Sequence, residues 1–173
     1  SNLQAAKAGG VSTTDVYHFP CAGSDAATQV QDDVNGVSGS FGTLWFDIET
    51  NPSSGCGWSG DATSNCNFLQ SMITTGQSLG ISMGVYSSSY MWSSIMGDSC
   101  TAGADQGLPL WYAHYDGART FSDFTAFGGW SSPSMKQYND NSDIGSNCGI
   151  SADADYVAQG GVFFFFFFFG VFG

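Results

Sequence analysis

An α/β protein organised on a parallel sheet is the fold that the sequence predicts, and three observations point to it. Short strand-like runs alternate with helix-periodic segments along most of the chain, the rhythm of βα units whose strands pair in parallel. The run Thr43–Ile48 is largely apolar, as strands covered on both faces are. Hydrophobic residues make up 42% and aromatic residues 16% of 173 positions, enough for one domain with a real core.

The elements follow in order. Residues 1–9 read as a helix closed by Gly9-Gly10. Asp15–Phe19 is a strand stopped by Pro20. Ser24–Val34 is a helix, with Ser24 as the candidate N-cap and apolar residues at 26, 27, 30 and 34. The 43–49 strand follows, then a loop over 50–62. Ser64–Leu79 is a helix with Phe68, Leu69, Met72 and Ile73 on one side and Gly80 as its stop. Ile81–Tyr86 is a strand, Tyr90–Met96 a short helix and Leu108–Tyr115 an aromatic-rich strand. A long loop over 116–133 leads to strands at Ser134–Tyr138 and Ile150–Val157. Six strands fall short of the eight in a closed (β/α) barrel.

Only 10% of the residues are charged, and the net charge is −12, with Lys7, Arg119 and Lys136 as the strong bases. That excludes nucleic acid as a partner, since phosphate binding needs clustered Lys and Arg, and it disfavours an anionic membrane surface. Neutral glycans, held by aromatic faces and hydrogen bonds, stay open. Five separate cysteines without a CxxC or zinc-like spacing point to disulfides in a secreted or lysosomal/phagosomal protein. Cys56 and Cys66 bracket a Gly/Ser/Asn-rich loop that they could close. Cys100 and Cys148 could form a second pair, leaving Cys21 over. Asp140, Asp143, Asp153 and Asp155 lack EF-hand spacing, so no metal or other cofactor is expected. His18 and His114 read as hydrogen-bonded core or rim residues. No Gly-x-Ser-x-Gly element stands in a strand–helix context.

Chemistry concentrates at the end of the 43–49 strand. Asp47 and Glu49 stand two residues apart and so share a face. Two like charges at the rim of a dry strand repel, and one pKa should rise. One carboxyl can then act as an acid beside an ionised neighbour, the pairing that glycoside hydrolysis uses. Tyr17, Tyr86, Trp111, Tyr112 and Tyr138 are strand-end aromatics suited to a sugar ring, although Trp111, like Trp45 and Phe46, also suits the core.

Tyr17-His18-Phe19, Phe46-Asp47-Ile48-Glu49, Gly84-Val85-Tyr86-Ser87, Leu110–Tyr115, Lys136-Gln137-Tyr138, Cys148-Gly149 and Ser151-Ala152-Asp153 occur in that order. Together they resemble glycoside hydrolase family 25, the Chalaropsis-type lysozymes, over residues 1–158. Phe19-Pro20-Cys21 and Trp111–Asp116 are closest to its protist and nematode branch. The resemblance implies a flattened, irregular TIM-like (β/α) barrel. It implies cleavage of the β-1,4 bond after N-acetylmuramic acid in peptidoglycan, with retention and with the substrate's N-acetyl group as nucleophile. It makes Glu49 the general acid, Asp47 the carboxylate that orients the acetamide, and Asp153 a late acidic residue at the rim. Family members open with a further strand bearing an active-site Asp. On this resemblance either the N-terminal strands, with a partner for Cys21, stand ahead of residue 1, or the barrel is an incomplete one.

Residues 159–173 form a separate Gly/Phe tail with seven consecutive phenylalanines, Phe163–Phe169. It is too short to span a bilayer, and it reads as a self-association segment, an anchor or a sequence artefact. A second functional reading is a catalytically impaired, secreted glycan-binding or self-assembling protein on the same scaffold.

Overall fold

In the computed structural model, residues 2–140 and 152–158 are described. Strands β1 (Val16–His18), β2 (Thr43–Asp47), β3 (Ser82–Ser87), β4 (Leu110–Ala113), β5 (Met135–Asn139) and β6 (Ala154–Tyr156) form one sheet in sequential order. The sheet curls into a half-barrel. β1 through β5 pair in parallel. All six strand segments expected from the sequence are present; β1, β2, β4 and β6 are shorter than expected, and β3 and β5 are each shifted one residue toward the C-terminus. The wholly parallel sheet is corrected at one place: β6 runs antiparallel to β5. An antiparallel neighbour needs no helical crossover, and the intervening Asn/Asp/Ser/Gly-rich stretch is poor in helix formers.

The helices begin and end where local chemistry dictates. α1 (Asn2–Ala8) stops at Gly9 and Gly10. α2 (Ala26–Gly36) is capped by Asp25, not Ser24: its carboxylate accepts the Thr28 N–H at 2.8 Å. Asp61 caps α3 (Ala62–Ser78) by accepting from Thr63 and Ser64, and Gly80, at φ +68°, takes the left-handed turn that ends it. α4 (Ser89–Ile95) is capped by Ser88. The four-residue α5 (Ala102–Asp105) is too short to show a helical period in the sequence.

Period-2 alternation gives the sheet two unlike faces. Leu44, Phe46 and Ile48 of the β2 segment, with Val85 and Leu110, point to the helix side and pack against Val30, Leu69, Met72, Ile73 and Trp92. Full burial of each such side chain stabilises by about 1.5–3 kcal/mol. The opposite, concave face carries Trp45, Tyr86, Trp111 and Met135. Trp45 can lie across β3 because residue 84 is glycine; a Cβ there would stand 2.4 Å from the indole ring.

The cysteine pairing expected from the loop is corrected. Cys21 bonds Cys56, and Cys66 bonds Cys100. Each bridge joins different elements across a separation of 35 or 34 residues, whereas a 56–66 bond would have closed only a local loop. Cys148 and the Phe-rich tail lie outside the described residues. No helix among the described residues is long and apolar enough to cross a membrane.

Candidate active site

The C-terminal ends of the parallel strands open into a cleft of about 180 Å³, lined by Tyr17, Asp47, Glu49, Tyr86, Trp111, Tyr115, Gln137 and Asp153. Each wall residue comes from the concave parity of its strand. Asp47 closes β2, and its neighbour Ile48 keeps the ladder going by donating its N–H to Tyr86 O at 2.8 Å. Glu49 therefore follows on the same face. Trp58 fixes the turn beyond it: its indole N–H donates to the Glu49 carbonyl at 2.7 Å, while its ring packs edge-on against Phe68 of α3.

Electrostatics in the cleft run in one direction. Burial, and then the charge of Glu49, hold the Asp47 carboxyl well above the usual carboxylate range. Asp47 Oδ1 is buried with no hydrogen-bond partner. Burial also raises Glu49. Beneath them the two tryptophans are clamped by acids. The Trp45 indole donates to Asp15 at 3.0 Å and that of Trp111 to Asp155 at 2.8 Å, and their rings meet edge to face at 5.7 Å. Burial pushes Asp155 up to about 7, against the Trp111 hydrogen bond that lowers it.

The far wall is a hydrogen-bonded chain. Gln137 Oε1 accepts the hydroxyls of Tyr86 at 2.5 Å and Tyr115 at 2.7 Å, and Gln137 Nε2 donates to Asp153 Oδ2 at 2.9 Å. Burial pushes the Tyr86 hydroxyl far above its ordinary range, so it stays protonated as a donor.

Of the residues singled out in the sequence, Asp47, Glu49, Asp153, Tyr17, Tyr86 and Trp111 are brought together at this cleft. Tyr112 and Tyr138 are not, which corrects their placement on a sugar-binding wall. Each follows an inward residue, Trp111 or Gln137, and so faces the helix side. The Tyr112 hydroxyl donates to Asp123 and its ring packs on Phe124, while Arg119 lies 5.3 Å over the Tyr138 ring. Tyr115 and Gln137 escaped the sequence reading, although strand parity with Trp111 was the signal for Tyr115.

On the helix-side face His114, Asp116 and Asp123 hold potential ligand atoms within 4.8 Å of one another. The Lys136 ammonium sits 2.8 Å from Asp116 and 3.0 Å from Asp123 and already supplies the cation. This donor set is an ion-pair network, not a coordination shell.

Two neighbouring carboxyls whose burial favours the protonated form, in a cleft walled by flat aromatic rings, are equipped for proton transfer to a sugar oxygen. The family model described as lysozyme-like protein 1 matches residues 1–138. Probable GH family 25 lysozyme 4 of Dictyostelium discoideum is 39% identical over 160 residues, covering 90% of this chain and 70% of the relative. Counting factor 45-1 of the same organism is 41% identical over 169 residues, covering 92% of this chain but 53% of its own length. Among solved structures, a muramidase from Acremonium alcalophilum superposes with a TM-score of 0.74 at 22% identity, over 91% of this chain and 73% of that one.

Proposed function

The chain belongs to the glycoside hydrolase family 25 lysozymes, and on that premise we propose that it is a muramidase, hydrolysing the β-1,4 bond between N-acetylmuramic acid and N-acetylglucosamine in peptidoglycan. Glu49 gives its proton to the glycosidic oxygen as the C1–O bond breaks. The substrate's acetamide oxygen attacks C1 from the opposite side and forms an oxazolinium ion. Water then attacks C1, its proton passing to Glu49, as the bond from C1 to the acetamide oxygen breaks and restores the N-acetyl group, so configuration is retained over two displacements.

Asp47 carries this reading. Its Oδ1 is buried and unpartnered beside Glu49, and an acetamide N–H is the donor that such an atom lacks. Accepting that hydrogen bond favours the Asp47 anion and leaves the proton of the pair on Glu49. Tyr17, Tyr86 and Trp111 offer aromatic faces for sugar rings, and Asp153 is the third acid. The two disulfides suit a secreted or lysosomal/phagosomal setting.

The test is clearing of a bacterial cell-wall suspension by the wild type and by Glu49→Gln. The acid role predicts a loss of about 10²–10⁴ in rate; equal clearing by both proteins overturns it. The similarity to counting factor 45-1 favours a second reading, glycan binding without turnover. A wild type that sediments with cell walls yet never clears them would establish that alternative.

A further inference from the structure

Gln137 is 4% exposed on the concave face of β5, and every polar atom of its amide is committed to a named partner. A side-chain amide oxygen has two acceptor lone pairs. Here both are taken, by Tyr86 at 2.5 Å and Tyr115 at 2.7 Å, and the nitrogen faces the Asp153 carboxylate oxygen at 2.9 Å. The carboxylate decides which way round the amide sits. Reversing it would put the amide oxygen against Asp153, two acceptors facing each other. With the nitrogen on Asp153, the oxygen must take the hydroxyl protons, and each tyrosine has only one to give.

The polarity of the cleft wall follows. The hydroxyls of Tyr86 and Tyr115 stand 3.2 Å apart, where either could donate to the other, but the shorter contacts of 2.5 and 2.7 Å to Gln137 claim both protons, and the two oxygens then present lone pairs to the cleft. Tyr115 lines the cleft and is 51% exposed. A wall of acceptors selects a ligand edge that donates: the N–H of an acetamido group or a sugar hydroxyl, and not a carboxylate or an ether oxygen.

We propose that Gln137 is a positioning residue that relays the orientation of Asp153 to Tyr86 and Tyr115, fixing them as hydrogen-bond acceptors toward a donor edge of the glycan. The proposal rests on the muramidase reading for its ligand, but the amide network itself can be tested without turnover. The titratable groups facing this network are Asp47 and Glu49 from the β2 segment, Tyr86 of β3, Tyr115 beyond β4, Asp140 beyond β5, and Asp153 and Asp155 around β6.

Three variants separate the links. Gln137→Glu keeps an acceptor for both tyrosines but sets a carboxylate against Asp153, so that the two must share a proton. Gln137→Met removes the polar relay and keeps the bulk. Tyr115→Phe removes one acceptor from the wall and leaves the Gln137–Asp153 bond in place. In a ¹⁵N-labelled protein, the Gln137 side-chain amide resonance is expected to shift between the wild type and Asp153→Asn, because the amide nitrogen donates to the Asp153 carboxylate. With cell walls as substrate, Gln137→Glu is expected to lower kcat/KM at least tenfold and to move the acid limb of its pH profile upward by about one unit. Tyr115→Phe is expected to raise KM several-fold with little change in kcat. An amide resonance unaffected by Asp153→Asn, or a Gln137→Glu profile that overlays the wild type while Gln137→Met loses thermal stability, shows a packing residue only and overturns the proposal. A wild type without hydrolysis overturns the muramidase reading alone, because the resonance experiment still decides the relay.

Discussion

Acids of the same kind sit in opposite electrostatic states on the two faces of one sheet. On the helix-side face, Asp116 and Asp123 meet the fully buried ammonium of Lys136 at 2.8 and 3.0 Å, and His114 adds a contact of 2.6 Å to Asp123. Against the burial that would raise it, hydrogen bonds from His114 and Lys136 hold Asp123 down at about 2, and the Lys136 hydrogen bond lowers Asp116. On the concave face no ion pair joins Asp47, Glu49 or Asp155 to a lysine or arginine among the described residues, and burial raises all three. The faces differ in two respects: Asp47 and Asp155 are deeply buried with no cation against them among the described residues, whereas Asp116 is exposed, Asp123 is half-buried and both lie against Lys136. The compensated face holds the loop over 116–133 to the sheet. The uncompensated face keeps protons available.

The largest way to break this contrast is Glu49→Gln, which is expected to abolish most turnover, by about 10²–10⁴, without loss of stability in urea unfolding. The converse is Lys136→Met, which strands two carboxylates. It is expected to lower stability in the same urea experiment, with kcat per folded molecule little changed. A loss under about 1 kcal/mol would mean that the helix-side acids do not depend on this cation.

Linkage to pH sharpens the contrast. The raised Asp155 keeps its proton in the folded protein up to about 7, while the unfolded chain ionises from its ordinary value of 3.8. Stability therefore falls as pH climbs between those values and is level above them, by an amount on the order of a few kcal/mol at most. Asp155→Asn is expected to flatten that segment of a stability–pH curve. Asp123 works the other way. Its contribution is fully present above the unfolded value of 3.8 and is lost as pH falls toward about 2. Arg119→Ala, which removes the cation over Tyr138, is the smallest change, about 0.5–1 kcal/mol.

How much of this was legible in the sequence depends on the range of the signal. Strands and long helices were, because apolar periodicity and caps are local. Asp47 and Glu49 were legible because two residues on one strand carry their own geometry. The same period-2 rule, applied to Trp111 and Tyr112, would have put Tyr112 on the far face from the start. The pairing of cysteines was not legible, since it joins elements distant in sequence. Nor were the partners of Lys136 and Gln137: one is a buried cation whose acids come from the preceding loop, the other an amide whose meaning lies in three residues on other elements.

The two disulfides lie in tandem along the chain, the first closed at Cys56 before the second opens at Cys66. Together they make two consecutive covalent rings. The first encloses β2 with Asp47 and Glu49, and the second encloses β3 with Tyr86. A protease that cuts once inside either ring, for instance at the exposed Ser53-Ser54-Gly55 stretch, releases no fragment. Resistance to fragmentation by a protease thus comes from connectivity as well as from folding free energy, and a nicked molecule keeps the strands that bear its acids on one covalent piece.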